Sequence, residues 1–116
     1  MRIIQRFILS VPHNIDTLNE FPEGMLWEDI EFEDFKISKA DYDNLIDLFN
    51  NLNESLDIFI DEYEDEEILP GKIQAAIEIT KAHAANATPE VKASAEKLLI
   101  ALERARNINK PLEFFF

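Results

Sequence analysis

Apolar residues recur along this chain with two periods, close to two and close to 3.6, and the switches between them outline its elements. Between Arg2 and Val11 the residues Ile3, Phe7, Ile8, Leu9 and Val11 predict a strand, which Pro12 ends because it has no N–H for a ladder. Ile15 to Phe21 has the spacing of a short amphipathic helix capped by Asn14 or Asp16, and Pro22-Glu23-Gly24 predicts a turn. Ile30 and Phe32 then alternate with Glu31 and Glu33, the period of a half-buried strand. Phe35 and Ile37 resume it after one slip, which predicts a bulge or a turn at Glu33-Asp34.

Ser38 opens a helix, with its hydroxyl as cap and Asp41 at the third position, where a carboxylate suits the helix N-terminus. Tyr42, Leu45, Ile46, Phe49 and Leu52 follow at helical spacing, and Asn50, Asn51 and Asn53 mark its expected end. Leu56, Ile58 and Ile60 alternate with Asp57, Phe59 and Asp61, which favours a strand, whereas Glu64 to Glu67 has no period and reads as a loop or a single helical turn. Pro70 starts a second helix with Ile73, Ala76, Ile77 and Thr80 or Ala84 as its stripe, running to about Ala85. Thr88-Pro89-Glu90 starts a third, carrying Val91, Ala95, Leu98, Leu99, Leu102 and Ala105, with Arg104 and Arg106 in its last turn. A link this short predicts an antiparallel helical hairpin. Pro111 to Phe116 reads as a short strand so apolar that it must dock, most simply against the N-terminal one. The expected fold is α+β: a small sheet, including the N- and C-terminal strands, packed against about three main helices in one domain spanning 1–116.

Composition supports a packed core, with 47% hydrophobic residues, nine Phe and one Trp. Charge is uneven: residues 1–69 hold 19 Asp/Glu against four Lys/Arg, a net of −15, and residues 70–116 hold five against seven, a net of +2. That imbalance disfavours nucleic acid and anionic membranes and fits a cationic protein partner. Asp57 to Ile68 carries seven carboxylates and no basic residue, yet it is threaded by Ile58, Phe59, Ile60 and Tyr63. Apolar residues inside an acidic run imply that the charges are shown from a surface anchored to a core. Glu28, Asp29, Glu31, Glu33 and Asp34 form a second acidic surface.

Candidate chemistry is sparse. Without Cys there is neither a disulfide framework nor a thiolate metal site, and two Gly cannot build a phosphate-binding loop. His13 and His83 belong to no metal-binding spacing, and none of Ser10, Ser38, Ser55 and Ser94 sits in a G-x-S-x-G context. Asp57, Asp61 and Asp65 recur every four residues, but an EF-hand loop needs ligands at alternate positions and a Gly at the sixth. The expectation is a protein that is not an enzyme and has no cofactor or metal. Met1 to Ser10 briefly looks like a signal peptide, but Arg6 interrupts the apolar run and no small-residue cleavage site follows. No stretch approaches the ~18 apolar residues of a membrane span, so a cytoplasmic location is expected.

Asp61-Glu62-Tyr63-Glu64-Asp65, the helix start Leu69-Pro70-Gly71, Leu98-Leu99, Leu102-Glu103-Arg104-Ala105 and the closing Lys110-Pro111-Leu112-Glu113-Phe114 form a pattern over residues 56–116. It resembles the small acidic bacterial immunity proteins of polymorphic-toxin and contact-dependent inhibition systems. That resemblance implies non-enzymatic neutralisation of one cognate basic toxin, often a nuclease, by covering its active site or a neighbouring surface. The expected partner-binding residues are Asp61, Glu62, Tyr63, Glu64, Asp65, Glu66 and Glu67, with Glu31 and Glu33 as a second patch beside Asp34; Trp27, Phe59 or Tyr63 are the candidate aromatic anchors. Other readings of the acidity are a nucleic-acid mimic, since a duplex carries one charge per ~1.7 Å, a carboxylate-based metal enzyme, or an acidic adaptor domain.

Overall fold

The structure is a computed structural model that describes residues 7–116; the predicted strand's residues Arg2 to Arg6 lie outside the described residues. Four strands form one antiparallel sheet: β1 (Ile8–Pro12), β2 (Phe32–Lys36), β3 (Asp65–Ile68) and β4 (Leu112–Phe115), in the order β2-β1-β4-β3. A single turn of 3-10 helix, Trp27–Asp29, precedes β2. The helices are α1 (Lys39–Asn44), α2 (Ile46–Leu56), α3 (Pro70–Ala85) and α4 (Pro89–Ile108). This is the expected α+β fold, with α2, α3 and α4 as the main helices. The last strand docks against the first, pairing Ile8 with Phe115 and Leu9 with Phe114.

Strand alternation divides the sheet into two faces. Leu9, Val11, Ile68, Leu112 and Phe114 point inward and join Leu48, Phe49, Leu52, Ile73, Ile77, Leu98 and Leu102 from the helices in one core. Ile8, Phe32 and Phe115 point outward, where Trp27 packs on Phe32 and Phe115 at ring distances of 5.6 and 6.2 Å.

The helix starts follow their caps. Ser38 Oγ accepts from Asp41 N, and the Asp41 carboxylate accepts from Ser38 N at 2.9 Å, a reciprocal capping box. Thr88 caps α4 above Pro89. Asp41 also receives Ser94 Oγ and Lys97 Nζ, each at 2.7 Å, tying the start of α1 to α4.

Pro12 ends β1 as expected, as its last residue opposite Phe32, a terminal position where a missing N–H costs little. Four local expectations are corrected. No helix forms over Ile15 to Phe21. Asn14 instead bonds Asp29 O and Glu31 N, and Thr17, Leu18 N and Asn19 bond the Glu67 carboxylate, so tertiary contacts claim the groups of a segment too short to hold a helix alone. β2 has no bulge or turn at Glu33-Asp34: its register with β1 is continuous, and Phe32 and Phe35 lie on opposite faces because both faces are covered. The helix from Ser38 is divided at Leu45 and runs past all three Asn to Leu56, where Asp57 ends it in the left-handed region at φ 55°.

The fourth correction concerns the acidic run. Residues 58–60 join no ladder, while Asp65–Ile68, expected as a loop or a helical turn, is the strand. Asn53 substitutes for a neighbouring strand beside Ile60: Ile60 N donates to Asn53 Oδ1 at 2.6 Å, and Asn53 Nδ2 donates to Ile60 O at 2.9 Å. Ile60 is thereby buried without sheet pairing.

Candidate acidic interface

The acidic run divides by environment. Asp57, Asp61, Glu64 and Asp65 are exposed, and between them stand two aromatic rings that are also exposed, Phe59 at 59% and Tyr63 at 74%. Tyr63 holds φ 71°, a conformation that a bulky side chain seldom adopts, in the turn closed by Glu64 N donating to Asp61 O at 3.3 Å. The Tyr42 hydroxyl reaches Asp61 at 3.5 Å, and Lys39 Nζ joins Glu62 at 3.2 Å and Asp43 at 2.8 Å. Together these fix a rim of carboxylates and rings to the helical layer through Asn53, Lys39 and Tyr42.

Glu66 and Glu67, expected in the same exposed group, have internal tasks. Glu66 Oε2 accepts Phe59 N at 2.7 Å, and its other oxygen accepts Glu67 N at 2.8 Å. Glu67 is buried on the outer face of the sheet, where its carboxylate takes Thr17, Leu18 N and Asn19. Beside it in the register lies Glu113 of β4, 3% exposed. Burial, a shared hydrogen bond with Glu67 and the charges of Glu67, Glu66 and Asp65 push the Glu113 carboxyl up to about 10. It therefore keeps its proton at neutral pH.

The second acidic segment does not adjoin the first. Glu31, Glu33 and Asp34 belong to the β2 edge of the sheet and Asp65 to Glu67 to the β3 edge, roughly 14 Å apart at the usual strand spacing. Glu33 is bonded by Arg104 Nε at 2.7 Å and His13 Nε2 at 3.1 Å, and the guanidinium holds its carboxyl below its usual value. Asp34 accepts Ser10 Oγ at 2.6 Å, while Glu31 is exposed. Trp27 is half-buried over the outer face, against Phe32 and Phe115, and lines a cleft with Asp65, Glu66 and Glu67. Of the expected partner-binding residues before the acidic run, it is the one that the fold carries across to that run.

Reading the sequence for charge overlooked Glu113, Ser10 and Asn19. A signal existed for Glu113: it is a lone acid at the alternate position of an otherwise apolar strand, Leu112-Glu113-Phe114-Phe115. Among the described residues no group of three or more His, Cys, Asp or Glu is arranged to hold a metal ion. No helix among them is long and apolar enough to cross a membrane. No protein-family model, curated protein or solved structure matches the chain.

Proposed function

We propose that the chain is a non-enzymatic immunity protein that acts in the cytoplasm and neutralises a cationic toxin domain through the rim around Phe59 and Tyr63. The observation that carries this reading is the placement of two large, exposed aromatic side chains among exposed carboxylates on an anchored turn. Aromatic residues commonly dominate interface energy, and surrounding charge sets encounter rate and partner choice. The interface centres on Asp57, Phe59, Asp61, Tyr63, Glu64 and Asp65. Glu66 and Glu67 support it from beneath. The Glu31 to Asp34 edge contributes to the long-range field rather than to the contact.

The test is co-expression of the chain with the product of its neighbouring gene, scored by survival of the host and by co-purification. Replacing Asp61, Glu64 and Asp65 together by Lys should weaken binding at least about 100-fold, mostly through a slower association rate. Tyr63→Ala should act mainly on dissociation. Undiminished protection by the triple variant would remove the electrostatic interface.

A further inference from the structure

On the outer face of the sheet a polar row crosses all four strands: Asp34 of β2, Ser10 of β1, Glu113 of β4 and Glu67 of β3 stand side by side in the register. Its β2 half is satisfied, with Ser10 Oγ donating to Asp34. Its β3 half is satisfied only in part: Glu67 takes donors from Thr17, Leu18 and Asn19 and shares a hydrogen bond with Glu113, but Glu113 Oε1 is buried with no hydrogen-bond partner among the described residues. Burying a polar atom in that state is costly, and a site that keeps one is incomplete.

The same two carboxyls line a cleft of about 270 Å³ together with Leu18, Asn19, Trp27, Asp65, Glu66 and Phe115. Three of its acids, Asp65, Glu67 and Glu113, stand on the outer face beside two aromatic rings, and the lining offers no basic side chain. Carboxylates beside an indole suit a cation with an organic body, because the ring face attracts positive charge and the walls cover carbon. A hard divalent ion would instead want several oxygens converging on one point. We propose that this cleft is a binding site for an ammonium or guanidinium group, held between the Glu67–Glu113 pair and the Trp27 side chain.

The charge balance follows from the protonated acid. Without ligand the pair shares one proton and carries one negative charge. As the cation enters, the Glu113 proton leaves to solvent, the carboxylate forms a charge-assisted hydrogen bond to the ligand, and the ligand keeps its own proton. Binding therefore tightens as pH rises. The charged groups that face Glu113 are Glu67, Glu66 and Asp65 from β3, with Ser10 from β1 and Asn19 from the loop after β1 as neutral neighbours.

Trp27 is the only Trp in the chain, so its fluorescence reports directly on the cleft. The whole protein is titrated in 150 mM salt with spermidine, with N-acetyl-arginine amide and with magnesium chloride, in parallel with calorimetry in two buffers. Saturable binding of either organic cation, with proton release, is expected. Spermidine alone indicates a free polyamine, and the arginine derivative alone indicates a side chain of a bound polypeptide. Glu113→Gln, which keeps the shape and the neutral charge of the protonated acid, should weaken binding at least about tenfold and abolish proton release while still folding. The Asp61 and Glu64 double-Lys protein tests the partner surface separately, because neither residue lines the cleft and a ligand that engages Glu113 still releases its proton there. No saturable response to either organic cation, a response to magnesium alone, or unchanged affinity in Glu113→Gln would overturn the proposal.

Discussion

At the scale of the residue, Glu113 and Asp41 are buried acids with opposite fates. Burial opposes ionisation of Asp41, but Lys97, Ser38 and Ser94 outweigh it and hold the carboxyl well below the usual range. Its stabilising effect is complete above the unfolded value near 3.8 and is lost as pH falls below it. Asp41→Ala removes a cap, a buried ion pair and the partner of Ser94, and should cost about 2–4 kcal/mol in urea unfolding at pH 7. Glu113 runs the other way. The folded protein holds a proton that the unfolded chain releases above pH 4.5, so this residue lowers stability progressively from pH 4.5 towards 10. Glu113→Gln should raise stability at pH 7 by about 1–3 kcal/mol and flatten its dependence across that window, read from denaturant midpoints. A midpoint unchanged from pH 5 to 8 in the wild type would show Glu113 ionised in the native state.

At the scale of the element, the instructive segment is residues 53–68. The alternation of Leu56, Ile58 and Ile60 is real and has a structural outcome, since Ile60 is buried and Ile58 packs on the core. Alternation reports which side of an extended chain meets apolar surroundings; it does not say whether the backbone is paired. Asn53 supplies Ile60's hydrogen bonds from a side chain, a substitution invisible to periodicity. Conversely, Asp65-Glu66-Glu67-Ile68 lacks an apolar period because both faces take carboxylates, Glu66 inward and Glu67 outward towards Glu113. Helices α3 and α4 were legible because Pro70, Thr88 and Pro89 are local signals, whereas β3 depends on partners more than 40 residues away. Asn53→Ala should cost about 2–3 kcal/mol and speed amide exchange at residues 58–60, leaving α3 and α4 protected. Uniformly faster exchange would mean that the turn is not an independent unit.

At the scale of the molecule, acidic residues of one chain segment are distributed to both edges of the sheet, so the −13 net charge acts as a field and not as a single contact. The candidate interface was therefore half legible: charge and embedded aromatics marked Asp57 to Asp65, but no linear pattern could assign Glu33 to Arg104 across 71 residues. Self-repulsion within such a surface is screened by salt. Raising ionic strength from 10 to 150 mM should raise the melting temperature by about 3–6 °C while slowing association with a cationic partner. A melting temperature that fell with salt would assign net stabilisation to the Lys39, Lys97, Arg104 and Lys110 ion pairs instead.

The sheet order β2-β1-β4-β3 also sets a timetable. β3 has β4 as its partner in the sheet, and 43 residues separate Ile68 from Leu112. At 5–20 residues per second a nascent chain waits roughly 2–9 s between making one and the other. During that interval β1 and β2 can pair, but β3 has no ladder, and the core face of Leu9 and Val11 is uncovered on the β4 side. Three charges in a row are poor material for pairing between chains, and Asp65, Glu66 and Glu67 make up most of β3. The acidity of this strand thus protects the newborn protein from its neighbours before it can serve any partner.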